Sequence, residues 1–277
     1  MKRAIVLGGL VAALAGAQSA SAQVTVGWDA PVFSSYVWRG VSYTNKPVFE
    51  PDLYLTIPLG AASLTAGGWA NIDIGKYDNA SSDLSESGGT SAFNLAEFDW
   101  WGEIGVSVGK ATLTGGATGY IFPNENCGAC LTKVSNTVEV YGKVALDVPL
   151  SPALNAYYDV DKVKGLYVEG SVSHDVPLGA ATLTLGALAG WTGGQEFSAS
   201  DASFNFADKG LTHVDLSAST SFSAGALSIA PSIHGVITSD EATKVTKPNA
   251  LDTGFKVWGG VTISWSKAFG GKEETKE

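Results

Sequence analysis

Cysteine, histidine and methionine are nearly absent from this chain, with two, three and one among 277 residues. The two cysteines form a single local pair, Cys127-Gly-Ala-Cys130, so a network of disulfides stapling a small domain is excluded. One such pair does not complete a zinc site of four cysteines, and no His follows Cys130 as covalent haem attachment requires. Beyond residue 22 the sequence also lacks any run of about 20 apolar residues, which excludes a helical membrane protein. Positive charge is in deficit, with 17 Lys and Arg against 27 Asp and Glu. That balance argues against nucleic acid as a partner and against docking on anionic lipid through a basic patch. No phosphate loop, dinucleotide fingerprint or nucleophile elbow occurs, and neither a cofactor nor a metal is expected.

At the N-terminus Lys2 and Arg3 precede an apolar run from Ala4 to Ala17, and Ala20-Ser21-Ala22 supplies a small-residue cleavage site. Residues 1–22 therefore read as a secretory signal peptide. Its removal takes away two basic residues and no acidic one, leaving 15 against 27 and a mature charge of −12. Export also places Cys127 and Cys130 in a compartment that permits a disulfide between them.

What the mature chain has in quantity is glycine, 34 residues in all, together with 8 Trp, 9 Tyr and 11 Phe arranged in alternating segments. From residue 137 onward Val138, Val140, Gly142, Val144 and Leu146 share one face, while Thr137, Glu139, Tyr141 and Lys143 share the other. The apolar face mixes Gly and Ala with Val and Leu, which suits lipid contact better than an interlocked core. The same period runs through about twelve segments. Five short turns lead into nearly one phrase, at Ala62-Ser-Leu-Thr, Ala111-Thr-Leu-Thr, Ala153-Leu-Asn, Ala181-Thr-Leu-Thr and Ala226-Leu-Ser, and they recur at every second connection. The remaining connections are mostly long and polar. The expected fold is all-β, a transmembrane antiparallel up-and-down β-barrel over residues 23–269 in a bacterial outer membrane, with a polar periplasmic tail at 270–277. Outer-membrane lipids and the barrel insertion machinery are its expected partners.

Three clusters, Ser35-Tyr36-Val37-Trp38-Arg39-Gly40-Val41-Ser42, Trp69-Ala70-Asn71 and Glu97-Phe98-Asp99-Trp100-Trp101-Gly102, resemble the N-terminal pattern of the TorF-type porins of Gram-negative outer membranes. The resemblance covers roughly the first 80 mature residues and implies a channel without naming a solute. The chain departs from common outer-membrane practice at its end, where Trp265 is followed by twelve more residues.

On the polar face of the expected strands lie Glu50, Asp52, Asp73, Glu97, Asp99 and Glu103, followed by Glu139, Asp147, Asp159, Asp161, Glu169 and Asp215. Only Arg39, Lys143 and Lys256 oppose them. As pore-lining residues, this excess of carboxylates would favour cations and neutral polar solutes over anions. Trp69, Trp101, Tyr141, Tyr157, Tyr167 and Trp258 share that face and would narrow the passage or stack a planar solute. His213, Asp215 and His234 also point inward, with Asp215 opposite His234 if the turn centres on Ala224 and Gly225. Trp28, Trp38, Trp100, Tyr158, Trp191 and Trp265 read as outward interface girdles. The expected activity is passive diffusion of small polar solutes. The rival readings are a non-conducting barrel acting as an anchor or adhesin and, more remotely, a barrel enzyme acting on lipids. No enzyme is expected, because the only outward histidine, His174, has apolar neighbours such as Leu183.

Overall fold

The structure, a computed structural model, describes residues 23–79, 82–85, 89, 91–123, 135–179, 181–195, 206, 208–239 and 254–270. The expected signal peptide, Cys127 and Cys130, and residues 271–277 lie outside that set. Twelve wall strands follow one another in chain order. They are β1 (Val24–Phe33), β2 (Asp52–Leu59, extended by Val48–Phe49), β3 (Ala62–Asp73), β4 (Asn94–Val108), β5 (Ala111–Ile121) and β6 (Thr137–Leu146). Then come β7 (Ala153–Asp159), β8 (Leu166–Leu178), β9 (Ala181–Thr192), β10 (Gly210–Thr220, extended by Phe222–Ala224), β11 (Leu227–Thr238) and β12 (Phe255–Phe269). Each pairs antiparallel with the next, and β1 pairs with β12 from Val24 opposite Phe269 to Phe33 opposite Gly260. The sheet thus closes on itself and leaves no long edge to pair elsewhere.

Four of the short turns share one device. Gly60, Gly109, Gly179 and Gly225 open them with φ of 73°, 61°, 66° and 65°, a conformation that costs glycine nothing and suits a two-residue hairpin beginning with Gly. The fifth, before Ala153, is longer and places Leu150 and Ser151 at positive φ instead.

The outer surface inverts the habit of a soluble protein. Leu53, Leu216 and Val257 are each about 60% exposed, and a belt of Val, Leu, Ile and Phe continues around the wall. Glu97 and Asp159 on the opposite parity are 2% and 1% exposed. A surface of this kind is stable only against hydrocarbon, as in an outer-membrane barrel. Trp28 stands directly opposite Trp265 toward the short-turn end, and Trp100, Tyr158 and Trp191 lie outward on strands approaching the long-loop end. Parity on β12 gives a direct test of register. Val261 and Ile263 are each 41% exposed on the outer face, with Thr262 between them facing in. Ile263→Arg should cost about 2–4 kcal/mol of barrel stability near the bilayer midplane, and Thr262→Arg much less. Urea titration of the refolded barrels in vesicles reads both, and equal losses would contradict the register.

The wall departs from the expected course after Phe33. Instead of continuing outward to Trp38, the chain turns into the lumen at Ser34, whose N–H donates to the Gly259 carbonyl at 2.9 Å. There it makes a small hairpin, Tyr36–Trp38 against Val41–Thr44, and rejoins the wall at Val48 opposite Phe33. Trp38 is therefore an interior residue and not a membrane girdle. The alternation of Tyr36 and Trp38 is real, but its greasy face packs on lumen aromatics.

Candidate functional site

The inner hairpin turns on Arg39 and Gly40, both at positive φ, 49° and 81°, with Trp38 paired to Val41. This is the geometry of a type I′ turn. It drives the Arg39 side chain across the lumen to the wall at β6, where Nη1 and Nη2 donate to the two Glu139 carboxylate oxygens at 2.8 and 2.7 Å. Both side chains are only 5% exposed, so the pair is dry and bidentate. The guanidinium carbon lies 4.1 Å from the Trp38 ring centroid, 4.1 Å from Tyr167 and 4.9 Å from Tyr157. Tyr120 on β5 donates to Glu139 Oε2 at 2.8 Å and fixes the carboxylate from behind.

The rest of the tip touches three further strands. The Gly40 carbonyl accepts from Thr238 Oγ1 on β11 and from Lys256 Nζ on β12, the latter at 3.2 Å, and the Gly40 Cα rests on the His213 side chain of β10. The hairpin arms use the near wall. Tyr36 donates to Glu97 at 3.0 Å, and Thr44 donates to Asp73 at 3.3 Å. Val41, fully buried, packs with Tyr167 and with Phe206 from the β9–β10 connection. Above the barrel, Lys46 pairs with Asp83 at 2.7 Å, and Asn45 exchanges hydrogen bonds with Leu84. The Lys46 ammonium and the Asn79 N–H hold the Asp83 carboxyl below its ordinary range.

A single methyl group tests the seating of the tip. At Gly40 a Cβ would collide with His213 and would demand a left-handed residue other than glycine, costing about 1–2 kcal/mol before the clash is counted. Gly40→Ala should leave the barrel folded while loosening the hairpin, read as faster amide exchange over residues 36–44. Unchanged protection there would mean that the tip is not seated on His213.

The residues expected to line a pore divide into distinct environments. Glu139 and Arg39 neutralise each other, and Glu103 on β4 accepts from Lys143 at 3.1 Å and from Tyr141 at 3.0 Å. Glu169 accepts from Asn155, Tyr157 and Tyr167 at 3.0, 3.3 and 3.2 Å. Asp159 is turned to backbone duty, accepting the N–H groups of Asp161, Val163 and Lys164 at the β7–β8 turn as well as the Thr137 hydroxyl. Asp161 lies beyond the end of β7 and faces Lys162 at 3.8 Å, so it belongs to that turn and not to the wall. Asp147 likewise follows the end of β6, and its N–H donates to the Lys110 carbonyl at the short-turn end.

The β10–β11 turn centres on Gly225 and Ala226, which pairs Asp215 with Val236 and places His234 opposite Ser217, two residues from the expected register. The two side chains still meet on the diagonal, with His234 Nδ1 3.1 Å from Asp215 Oδ2, and His234 stacks on Trp258 with centroids 4.1 Å apart. Among the described residues no group of three or more His, Cys, Asp or Glu is arranged to hold a metal ion. His174 stands opposite Leu185, with Leu183 two residues away across the same pair of strands.

Rings on the wall do not all project into the lumen. Tyr54 lies over Gly27, Trp101 over Gly67 and Tyr141 over Gly116, where a Cβ would come within 2.7 Å of Trp101 Cζ2 or 2.6 Å of Tyr141 Cζ. Glycine on the neighbouring strand lets each ring lie flat along the wall. The inner hairpin occupies the lumen beside them. Trp69 touches that hairpin through Tyr36, with centroids 5.6 Å apart.

Sequence reasoning missed Asp29, which faces inward directly across from Asp52 beside Glu50. None of these three carboxylates has an ion-pair partner among the described residues. It also missed the roles of Tyr36 and Trp38. Arg39-Gly40 between alternating aromatics was the available signal, since a glycine-containing pair at that spacing marks a tight hairpin and not a strand interior.

No curated protein matches the sequence. Among solved structures, the chain is similar to the COG4313 outer membrane channel from Pseudomonas putida F1, with a TM-score of 0.48 and 11% identity over 91% of this chain and 97% of that one. It is also similar to the TodX monoaromatic hydrocarbon channel (0.44, 10%, 91% and 91%) and to OmpT of Vibrio cholerae (0.38, 7%, 90% and 99%). A family model described as "Bacterial protein of unknown function (Gcw_chp)" matches residues 17–247, and the chain belongs to that bacterial family.

Proposed function

We propose that this protein is an outer-membrane channel for small polar solutes in which the inner hairpin is the constriction. The observation that carries the reading is the way the hairpin tip is held. It crosses a polar lumen and is fastened there by charge-assisted hydrogen bonds from Arg39 to Glu139 and from Lys256 to Gly40, beside the ring contacts of Tyr36 and Trp38 and the buried Val41. Polar contacts of this kind are exchanged for water and solute at small net cost. The finer reading is a preference for cations and neutral solutes over anions. Its support is Asp29 and Asp52, directly opposite each other on the β1–β2 wall, carboxylates without an ion-pair partner among the described residues. Transport and not catalysis is the proposed role.

A second reading, a non-conducting barrel serving as an anchor, is favoured by one observation, the reach of the hairpin from β1 to β6 and β10 through β12. Planar-bilayer recordings decide between the two. The refolded chain should give small conductance steps, and a variant with residues 35–46 replaced by a short turn should give larger ones. A hairpin-deleted barrel that inserts but never conducts would establish the anchor reading.

A further inference from the structure

The wall against which Arg39 rests is complete without the hairpin. Glu139, Tyr120, Tyr157, Tyr167 and Glu169 come from β5, β6, β7 and β8, and their mutual contacts do not pass through residues 34–47. Tyr157 and Tyr167 offer adjacent ring faces with centroids 6.0 Å apart, and their hydroxyls donate to Glu169. Glu139 presents both oxygens to the same point. From this geometry we infer that the β5–β8 wall is a binding site for guanidinium-bearing organic cations, and that Arg39 occupies it as a tethered internal ligand.

The chemistry selects the class. A planar fork donates to both carboxylate oxygens while its flat face lies on aromatic rings, a combination an ammonium cannot reproduce because it is a point donor with a strongly held water shell. The tether gives Arg39 an effective concentration in the range of about 1 mM or above, so a free solute competes poorly until the tip withdraws. As a statement about binding, the inference stands on the wall alone. As a statement about which solutes pass, it rests on the channel reading.

The variant to use is Arg39→Asn. Asn-Gly is the strongest type I′ pair, so the turn persists while the guanidinium is lost, and the shorter side chain does not reach Glu139. In detergent-refolded protein, calorimetric titration with methylguanidinium chloride should show binding about tenfold tighter, or more, to Arg39→Asn than to the wild type. Methylammonium chloride should bind that variant more weakly by a similar factor, and adding Glu139→Gln should abolish the gain. Equal affinity of wild type and variant, equal affinity for the two cations, or full retention with Glu139→Gln would each overturn the inference. Should Arg39→Asn fail to refold, the wild type decides. Methylguanidinium should speed amide exchange over residues 37–41 in a saturable way, and methylammonium at the same ionic strength should not; identical effects of the two salts would overturn it. Binding without any conductance would end the channel reading and leave the site in place.

Discussion

Glu139→Ala is expected to release the inner hairpin and raise the single-channel conductance of the barrel. The substitution leaves the Arg39 guanidinium buried without its carboxylate, and orphaning one member of a buried ion pair costs about 3–5 kcal/mol. A cost of that size lowers the docking equilibrium constant about a hundredfold or more. The strands themselves are closed by backbone pairing around the whole barrel, so the variant should still insert and fold. Removing both charges, with Arg39→Asn and Glu139→Gln together, leaves no orphan and should sit nearer the wild type than Glu139→Ala alone. That ordering is the sharp part of the expectation. If the double variant conducts more than Glu139→Ala, the pair holds the hairpin by net attraction and the desolvation argument fails. If neither variant changes conductance in a barrel that inserts normally, the hairpin is not the constriction.

The second large effect concerns selectivity. Glu139 and Glu103 are balanced by Arg39 and Lys143, whereas Asp29 and Asp52, directly opposite each other on β1 and β2, have no cation paired to them among the described residues. Converting both to their amides should move the reversal potential in a salt gradient toward zero. The charge-balanced change of Glu103→Gln with Lys143→Met should leave it nearly unmoved. Raising the salt from about 0.1 M to about 1 M shortens the screening length from about 10 Å to about 3 Å and should shrink the wild-type preference. An anion-selective wild type, or a double amide variant indistinguishable from it, would remove this pair from the mechanism.

The wall was legible in the sequence because its physics is periodic. Lipid on one side and water on the other force every strand into alternation, so the faces of Val138 to Leu146 or of Phe255 to Trp265 follow directly from the order of residues. The Gly-X turns added direction, since each marks the end where the chain reverses in two residues. What escaped was set by contacts distant in sequence. Tyr36 and Trp38 alternate as a strand would, and only the positive φ of Arg39 and Gly40 separates a returning hairpin from a continuing wall. His234 and Asp215 were paired correctly for the wrong reason, because centring the turn one residue early shifts the register by two, and side chains of that length still meet across a diagonal. Asp29 was overlooked between Trp28 and Ala30, where the outward residues carry the stronger signal.

The hairpin departs from the first strand, yet its tip bonds lie 100, 198 and 216 residues downstream, at Glu139, Thr238 and Lys256. The seam between β1 and β12 joins the two ends of the same chain. The seam and the tip contacts at Thr238 and Lys256 cannot form until almost every other strand is in place, and loops of that length make such steps slow. In time, then, shutting the wall and filling its interior are coupled late steps of assembly. A barrel caught before that point would be unzipped at the seam, its tip still without the contacts to Thr238 and Lys256.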